Sequence, residues 1–523
     1  MADEKVRLSG GSRYQGDQSE RLLDSKEAAK ALNHSVDPAQ LEGRLTLPLI
    51  FAIFAVTIGG SFQFGYHIGN VNAPGSLITD WYIESHHHLF NTTITKEQAD
   101  LAWSVSVGIF AVGGMAGSLL SGWFADKLGR KGSILFNNLF IFLATALMSL
   151  AKFVNVYYMI TAGRLVIGFA SGLASSIVPM YLTEVSPNNL RGTIGSVSQL
   201  LVTVSILVAQ ILGLPFIWGS EKLWPLIFAF SVIPAVVQLV TLPFCPESPK
   251  YNLIVKGNAE QAEKDLKKLR NKTDVSAELD VIKEEAAAVR DIPKATLASM
   301  FRSPMLWPMF IAIMMMLSQQ FSGINVTMFY STKVFQDAGL KGNEPFYATI
   351  AMGAMNVAMT IVSLWLVDHP KFGRRSLHMG GLFGMLITSI LIVVSMTLAG
   401  DGDDQNKLFS YASIILVVLF VVSFATGPGS IPWFFVSEIF PSSARGAANS
   451  IACMSNWLAN FIVGTSFLPL NNILGKNTFL VFAGMLLFFL LFTYKYVPET
   501  KGKTVEQISE DLNKTKPGNS ASS

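Results

Sequence analysis

Neutral amides set inside long apolar runs are the residues of this chain best placed to do chemistry. Gln319, Gln320 and Asn325 crowd one such run around Ser322 and Gly323, while Gln199, Asn356 and Asn456 stand in three others. A side-chain amide donates and accepts hydrogen bonds without carrying charge, so it suits a neutral cargo rich in hydroxyls. Inside a bilayer an unpartnered amide is costly and must meet another helix, water or cargo. For a single Asn or Gln a neighbouring helix is the simpler partner. For the cluster, with Gln199 in the other half of the chain, a polar cargo explains more. Trp433, just past Pro428, Gly429 and Pro432, could lay its ring on the C–H face of such a cargo, although tryptophan is more often a packing residue. The prolines and glycines break a helical ladder, which is tolerated where backbone lines a cavity or absorbs a hinge motion.

A second set is charged and occurs twice. Gly122, Asp126, Lys127, Gly129, Arg130 and Lys131 have a counterpart in Asp368, Gly373, Arg374 and Arg375. Glu184, Arg191 and Gly192 return as Glu438, Arg445 and Gly446, and Pro246, Glu247 and Ser248 return as Pro498, Glu499 and Thr500. The copies lie about 250 residues apart, the mark of an internal duplication. Carboxylates and guanidiniums at helix ends can lock those ends through charge-assisted hydrogen bonds. Asp126, Arg130, Glu184, Arg191, Arg374, Arg375, Glu438 and Arg445 therefore read as the gate of a machine that rocks between two states. Any one arginine taken alone merely obeys the positive-inside rule.

The elements that must carry these groups follow from composition. Half of the 523 residues are hydrophobic and 14% are charged, and the mean hydropathy is +0.42. An ordinary soluble domain has about 25% charged residues, so this chain reads as a membrane protein. Charge-free runs able to cross about 30 Å of hydrocarbon at about 1.5 Å per residue number twelve. They lie near 45–66, 101–125, 132–151, 156–183, 192–213, 223–244, 303–332, 345–367, 376–400, 408–437, 446–470 and 477–494. Runs of this length predict an all-α bundle and exclude an outer-membrane barrel. The expected organisation is a tail (1–44), a six-helix bundle (45–243), a linker (244–303), a second six-helix bundle (304–497) and a tail (498–523). In the linker Ala262, Leu266 and Leu269, then Val275, Leu279, Ile282 and Ala286, recur at helical spacing. They predict short amphipathic helices beneath the bundle. Gly113 with Gly117, and Gly168 with Gly172, predict close helix contacts.

Apart from Arg164, inside the fourth span, every arginine falls on one side of the bundle. The positive-inside rule makes that side, with both termini, cytoplasmic. The sequon at Asn91 then lies in the first outside loop, where glycosylation could reach it. The first apolar run starts at Leu45 behind a polar tail, so no cleavable signal is expected. A net charge of +3 leaves no nucleic-acid footprint. Cys245 and Cys453 support neither a disulfide framework nor a zinc site. His86, His87 and His88 read as exposed loop residues rather than metal ligands, and no cofactor is implied. Gly502, Lys503 and Thr504 mimic the end of a phosphate-binding loop, but Val497 stands where its first glycine belongs. With no Gly-x-Ser-x-Gly elbow and no His-Glu-x-x-His in the sequence, an enzyme has little support.

Gly122–Lys131 resembles the loop signature of the major facilitator superfamily, and Glu184–Arg191 with Pro246–Lys250 is similar to the sugar porters. Gln319–Asn325, Gly427–Gly429 with Ile431–Trp433, and Pro498–Gly502 resemble the animal facilitative glucose transporters, over roughly residues 45–505. The resemblance implies two six-helix bundles around a central hexose site opened alternately to each side, in the plasma membrane. It also implies that Gln199, Gln319, Gln320, Asn325, Asn356, Trp433 and Asn456 touch the sugar. Ala425, Met316 and Phe329 depart from that pattern, which usually has Glu, Gln and Tyr there, and leave fructose or mixed hexoses beside D-glucose. His67 stands where proton-coupled relatives carry aspartate and glucose uniporters asparagine. Histidine can titrate near neutral pH, yet burial disfavours its charged form, and no Asp or Glu lies centrally in any span. The expectation is a passive uniporter and not an enzyme. A proton-coupled symporter and a non-transporting sugar receptor are the alternatives, the latter ill served by such short tails.

Overall fold

The computed structural model describes residues 43–290, 295–369, 371–400, 406–501, 503 and 505–516. The expected N-terminal tail, except Gly43 and Arg44, lies outside them. Among the described residues there is no strand. In the first half, α1 (Leu47–Gly59) and α2 (Ser61–Gly69) make one broken span, and α3 (Gly75–Phe90) follows it. Then come α4 (Lys96–Lys127), α5 (Gly129–Val154), α6 (Tyr158–Val185), α7 (Arg191–Leu212) and the pair α8 (Trp224–Ala229) and α9 (Val232–Thr241). The linker holds α10 (Ala259–Arg270) and α11 (Ser276–Arg290). The second half begins with the broken span α12 (Leu306–Phe321) and α13 (Ile324–Asp337), followed by α14 (Glu344–Asp368) and α15 (Arg374–Ala399). The pair α16 (Lys407–Thr426) and α17 (Ile431–Ile439), α18 (Ser442–Leu474), α19 (Thr478–Tyr496) and α20 (Val505–Thr515) complete it.

Among the described residues eleven stretches are long and apolar enough to cross a membrane, and the last, Ala444–Tyr496, has 53 residues. At about 1.5 Å per residue it would run to about 80 Å, far beyond one crossing. The 3₁₀ turn Gly475–Asn477, with Gly475 at φ +53°, divides it. The chain therefore makes twelve crossings, as two six-helix bundles joined by a helical linker. The glycine pairs do what their spacing predicts: a Cβ at Gly113 or Gly117 of α4 would stand 2.1 Å from the Leu165 or Phe169 carbonyl oxygen of α6. The two helices thus meet backbone to backbone.

Two elements differ from expectation. The segment after the first span is the helix α3, with Ile78, Trp81, Tyr82 and Ser85 buried on one face. Tyr82 Oη bonds Ser106 Oγ at 2.9 Å, and Ser85 Oγ donates to the Asn155 carbonyl at 2.8 Å. His86 is consequently no free loop residue but bonds Tyr157 Oη and Thr92 Oγ1, each at 3.2 Å. Asn91, exposed and at φ +57°, ends the helix in the left-handed region that asparagine tolerates. The C-terminal tail contains α20, whose Ile508 and Leu512, one turn apart, are buried under the second half. Trp307 Nε1 donates to the Leu512 carbonyl at 3.1 Å. In the linker Ala262, Leu266, Leu269, Val275, Leu279 and Ile282 are buried as their period predicts; the side chain of Ala286 lies outside the described residues.

Candidate functional site

The seventh span stops after Gln319 and Gln320 because Gly323 turns at φ +87°, a conformation glycine alone adopts without strain. Asn325 opens the next helix. The tenth span breaks over Gly427–Ser430, between α16 and α17. Gln319 Nε2 reaches the carbonyls freed there, donating to Pro428 at 3.0 Å and Gly429 at 2.7 Å. Gln319 Oε1 accepts from Asn456 Nδ2 of α18 at 2.7 Å, and Gln320 Nε2 donates to Asn456 Oδ1 at 3.0 Å. Asn325 Nδ2 donates to Gln320 Oε1. Four predicted residues thus form one buried, uncharged network across three spans. Met316 adjoins it, its sulfur 3.8 Å from Asn456 Nδ2.

The other three stand apart from that network. Asn356 is buried on α14 without bonding to the four. Trp433 is 42% exposed just past the tenth-span break. Gln199 is exposed on α7. Eleven residues further on lies Gln210, three helical turns away and on the same face, roughly 16 Å along the axis. Gln210 is buried against α14, where a Cβ on Gly353 would stand 2.0 Å from its Oε1. That face therefore looks between the halves, and Gln199 opens onto the gap nearer the end of the bundle that carries the paired charges, called the inner end below. Gln210 was missed by the sequence reading although its spacing from Gln199 signals it. Both its polar side-chain atoms, with Ser430 Oγ, Asn460 Oδ1 and Thr465 Oγ1, are buried without a hydrogen-bond partner. Trp457, next to Asn456, was also missed; its Nε1 donates to Ser118 Oγ of the first half at 3.0 Å, and its ring packs on Phe64 and Phe110.

The opposite, outer end is clasped by Asn72, which the sequence reading passed over. Its Nδ2 donates to the Met328 carbonyl at 3.1 Å and to Ser331 Oγ at 2.6 Å, and its Oδ1 accepts from Thr332 N at 3.1 Å. Residues after the first span thus bind the half-helix after Gly323.

At the inner end the duplicated charges make duplicated braces within each half. Arg130 holds Glu184 with two hydrogen bonds of 2.9 Å, and Asp126 lies 3.8 Å from Arg130. Ser248 Oγ donates to Glu184, and Glu247 accepts from Lys131 N at 3.1 and 3.2 Å. In the second half Arg374 Nε meets Glu438 at 3.4 Å, Thr500 Oγ1 donates to Glu438 at 2.5 Å, and Glu499 accepts from Arg374 N at 2.7 Å and Arg375 N at 3.2 Å. Glu247 and Glu499 thereby cap the N-termini of α5 and α15, where a helix dipole favours a carboxylate. Burial nonetheless lifts the Glu247 carboxyl above the ordinary glutamate range, while its backbone hydrogen bonds and Arg130 pull the other way. Arg445 Nη2 donates to the Phe440 carbonyl at 3.4 Å, and Arg191 sits half-buried at the start of α7.

His67 is fully buried on α2. Its Nδ1 faces Asn70 Nδ2 at 3.0 Å and its Nε2 faces Ser231 Oγ at 2.9 Å. Each ring nitrogen thus has a polar partner within hydrogen-bond distance. Arg164, also buried, donates to the His67 carbonyl at 2.7 Å and lies over the Phe110 ring at 4.5 Å. Among the described residues Arg164 is the one buried charged side chain within a span, since Asp265 and Arg270 belong to the linker.

This geometry has relatives. A family described as sugar (and other) transporter matches residues 52–512. The facilitated glucose transporter protein 1 of Caenorhabditis elegans is 59% identical over 475 residues, covering 91% of this chain and 92% of the relative. The human solute carrier family 2, facilitated glucose transporter member 3 is 44% identical over 467 residues, covering 89% and 92%. Among solved structures, a partially occluded inward open conformation of the xylose transporter XylE from E. coli has a TM-score of 0.71 at 24% identity, covering 88% of this chain and all of the other. Duplicated bundles, braces at matching inner ends and near-complete coverage at high identity leave one assignment: the chain belongs to the sugar transporter family, with the major facilitator fold.

Proposed function

We propose that this protein carries a hexose, D-glucose first, passively across the plasma membrane by alternating access, with both termini cytoplasmic. The observation that carries the reading is the uncharged network of Gln319, Gln320, Asn325 and Asn456, tied to the broken tenth span. Every bond in it can be exchanged for one to a sugar hydroxyl without moving a charge. Gln199, Asn356 and Trp433 join the site from the walls of the gap between the halves. The duplicated charged braces at the inner end serve as its gate, and Asn91 carries glycan on the outer face. The names of the worm and human relatives support glucose as cargo. Met316, beside Asn456 where a glutamine would extend the amide network, argues for testing fructose as well.

Proton symport, the activity of one solved relative, a D-xylose-proton symporter, needs a group in the spans that alternates between charged and neutral. His67 stands there between Asn70 and Ser231, and no buried carboxylate joins it in a span among the described residues. In sealed proteoliposomes a panel of hexoses should equilibrate without accumulating under an inward proton gradient. Accumulation abolished by a protonophore, and lost in His67→Asn, would make the protein a symporter. Specific sugar binding without any flux would make it a receptor.

A further inference from the structure

Below the lipid-facing end of α9 lies a cavity of about 530 Å³ that the transport path does not use, lined by Lys131, Lys256, Lys268, Glu247, Asp265 and Phe244 among others. Its two carboxylates are occupied by their own partners. Glu247 accepts from the backbone of Lys131 and Ser248, and Asp265 accepts from Asn252 Nδ2 at 2.6 Å and Gln261 Nε2 at 2.9 Å. The ammonium groups are only partly used. Lys131 spends two N–H donors on the Pro243 and Cys245 carbonyls, each at 2.7 Å, and Lys268 one on the Phe244 carbonyl at 2.7 Å. Lys256 lies over the Tyr251 ring at 5.4 Å. An ammonium has three donors, so the cavity keeps several for an anion.

The rim is apolar and exposed. Phe244 is 69% exposed, and Ile254 and Val255 stand out from the turn Tyr251–Val255. Above them Val236 and Val240 continue the exposed apolar face of α9 toward the cavity. Free phosphate has no use for such a rim, whereas an acyl chain lying along α9 would bring its headgroup to the lysines. We infer that this cavity is a binding site for the phosphate headgroup of an anionic phospholipid in the inner leaflet, with Lys131, Lys256 and Lys268 as its cations and Phe244 and Val240 against its acyl chain.

The full-length protein in detergent would be titrated with short-chain phosphatidic acid, phosphatidylcholine of the same chain length, and inorganic phosphate, with retained ligand followed by native mass spectrometry. A lysine near an anionic lipid contributes about fivefold in affinity, so Lys256→Gln with Lys268→Gln should weaken phosphatidic acid binding roughly thirtyfold. Lys264→Gln with Lys272→Gln, which removes the same charge from exposed linker positions outside the cavity, should leave it unchanged, and Phe244→Ser should weaken the lipid without touching phosphate. Equal binding by both double variants would overturn the site. Inorganic phosphate binding as tightly as phosphatidic acid would overturn the lipid as its occupant.

Discussion

Gln320→Ala should weaken sugar binding while leaving the bundle folded. Gln320 Nε2 donates to Asn456 Oδ1 at 3.0 Å and Gln319 Oε1 at 3.2 Å, and its Oε1 accepts from Asn325. A net hydrogen bond is worth about 1 kcal/mol, and a stranded buried partner costs about 1 to 3 kcal/mol. Asn456 and Gln319 keep the bond between them at 2.7 Å, so the structural loss should stay near about 2 kcal/mol. A bound hexose loses a donor and an acceptor together, about 1 to 3 kcal/mol, or roughly 5- to 150-fold in affinity. Equilibrium sugar binding and uptake in proteoliposomes at matched protein content measure this directly. Asn138→Ala is the control, because Asn138 Nδ2 bonds Gln238 Oε1 at 2.9 Å within the first half, away from the network. It should cost comparable stability and spare affinity. Unchanged affinity in Gln320→Ala, or an equal loss in Asn138→Ala, would refute a sugar site built on the network.

Two further outcomes follow from the ends of the bundle. Asn72→Ala removes bonds of 2.6, 3.1 and 3.1 Å, about 3 kcal/mol of outer closure, so a cysteine at Met328 should label faster with a membrane-impermeant thiol reagent, by up to roughly 150-fold; an unchanged rate would discard Asn72 as the clasp. Glu247 has a raised pKa in the fold, caused first by burial, so the stability tied to its protonation is complete below the ordinary glutamate pKa and fades as pH rises through the folded value. The melting temperature of the wild type should therefore gain on Glu247→Gln as pH falls from neutral toward the ordinary glutamate pKa, and a pH-independent difference would contradict that sign.

The spans, the linker helices and the amide network were legible because each rests on a local pattern: charge-free length, helical period, or amides crowded in one apolar run. Asn72 was not, since its partners lie 256 to 260 residues away and nothing in its own neighbourhood announces them. The duplicated charges were visible, but not their bonding. Glu247 and Glu499 turn out to hold backbone N–H groups, and Glu184 and Glu438 take the guanidiniums, a division that depends on where the helix ends meet. α3 escaped because its buried face mixes Tyr82 and Ser85 with apolar residues, and α20 because two buried side chains on a short polar helix give little period to detect. The exposure of Gln199 and Trp433 depends on how the helices pack around them and has no local signature.

The two halves repeat their braces but not their interiors, and that difference bears on how cargo could move the molecule. In the first half α4 and α6 touch backbone to backbone through Gly113, Gly117, Gly168 and Gly172, leaving no slack between them. In the second half the seventh and tenth spans are both broken, and Gln319 joins the two breaks by donating to the Pro428 and Gly429 carbonyls. Those carbonyls have lost their helical partners, so Gln319 is what satisfies them in the bilayer core. A sugar hydroxyl that competes for Gln319 must therefore release a carbonyl of the tenth span or replace its partner. Binding and the shape of the tenth span become one equilibrium, since a ligand shifts a conformation only by bonding its states differently. If the hexose binds this amide network, its recognition is coupled to the breaks of the seventh and tenth spans, while α4 and α6 of the first half, packed backbone to backbone, supply a firm surface beside them.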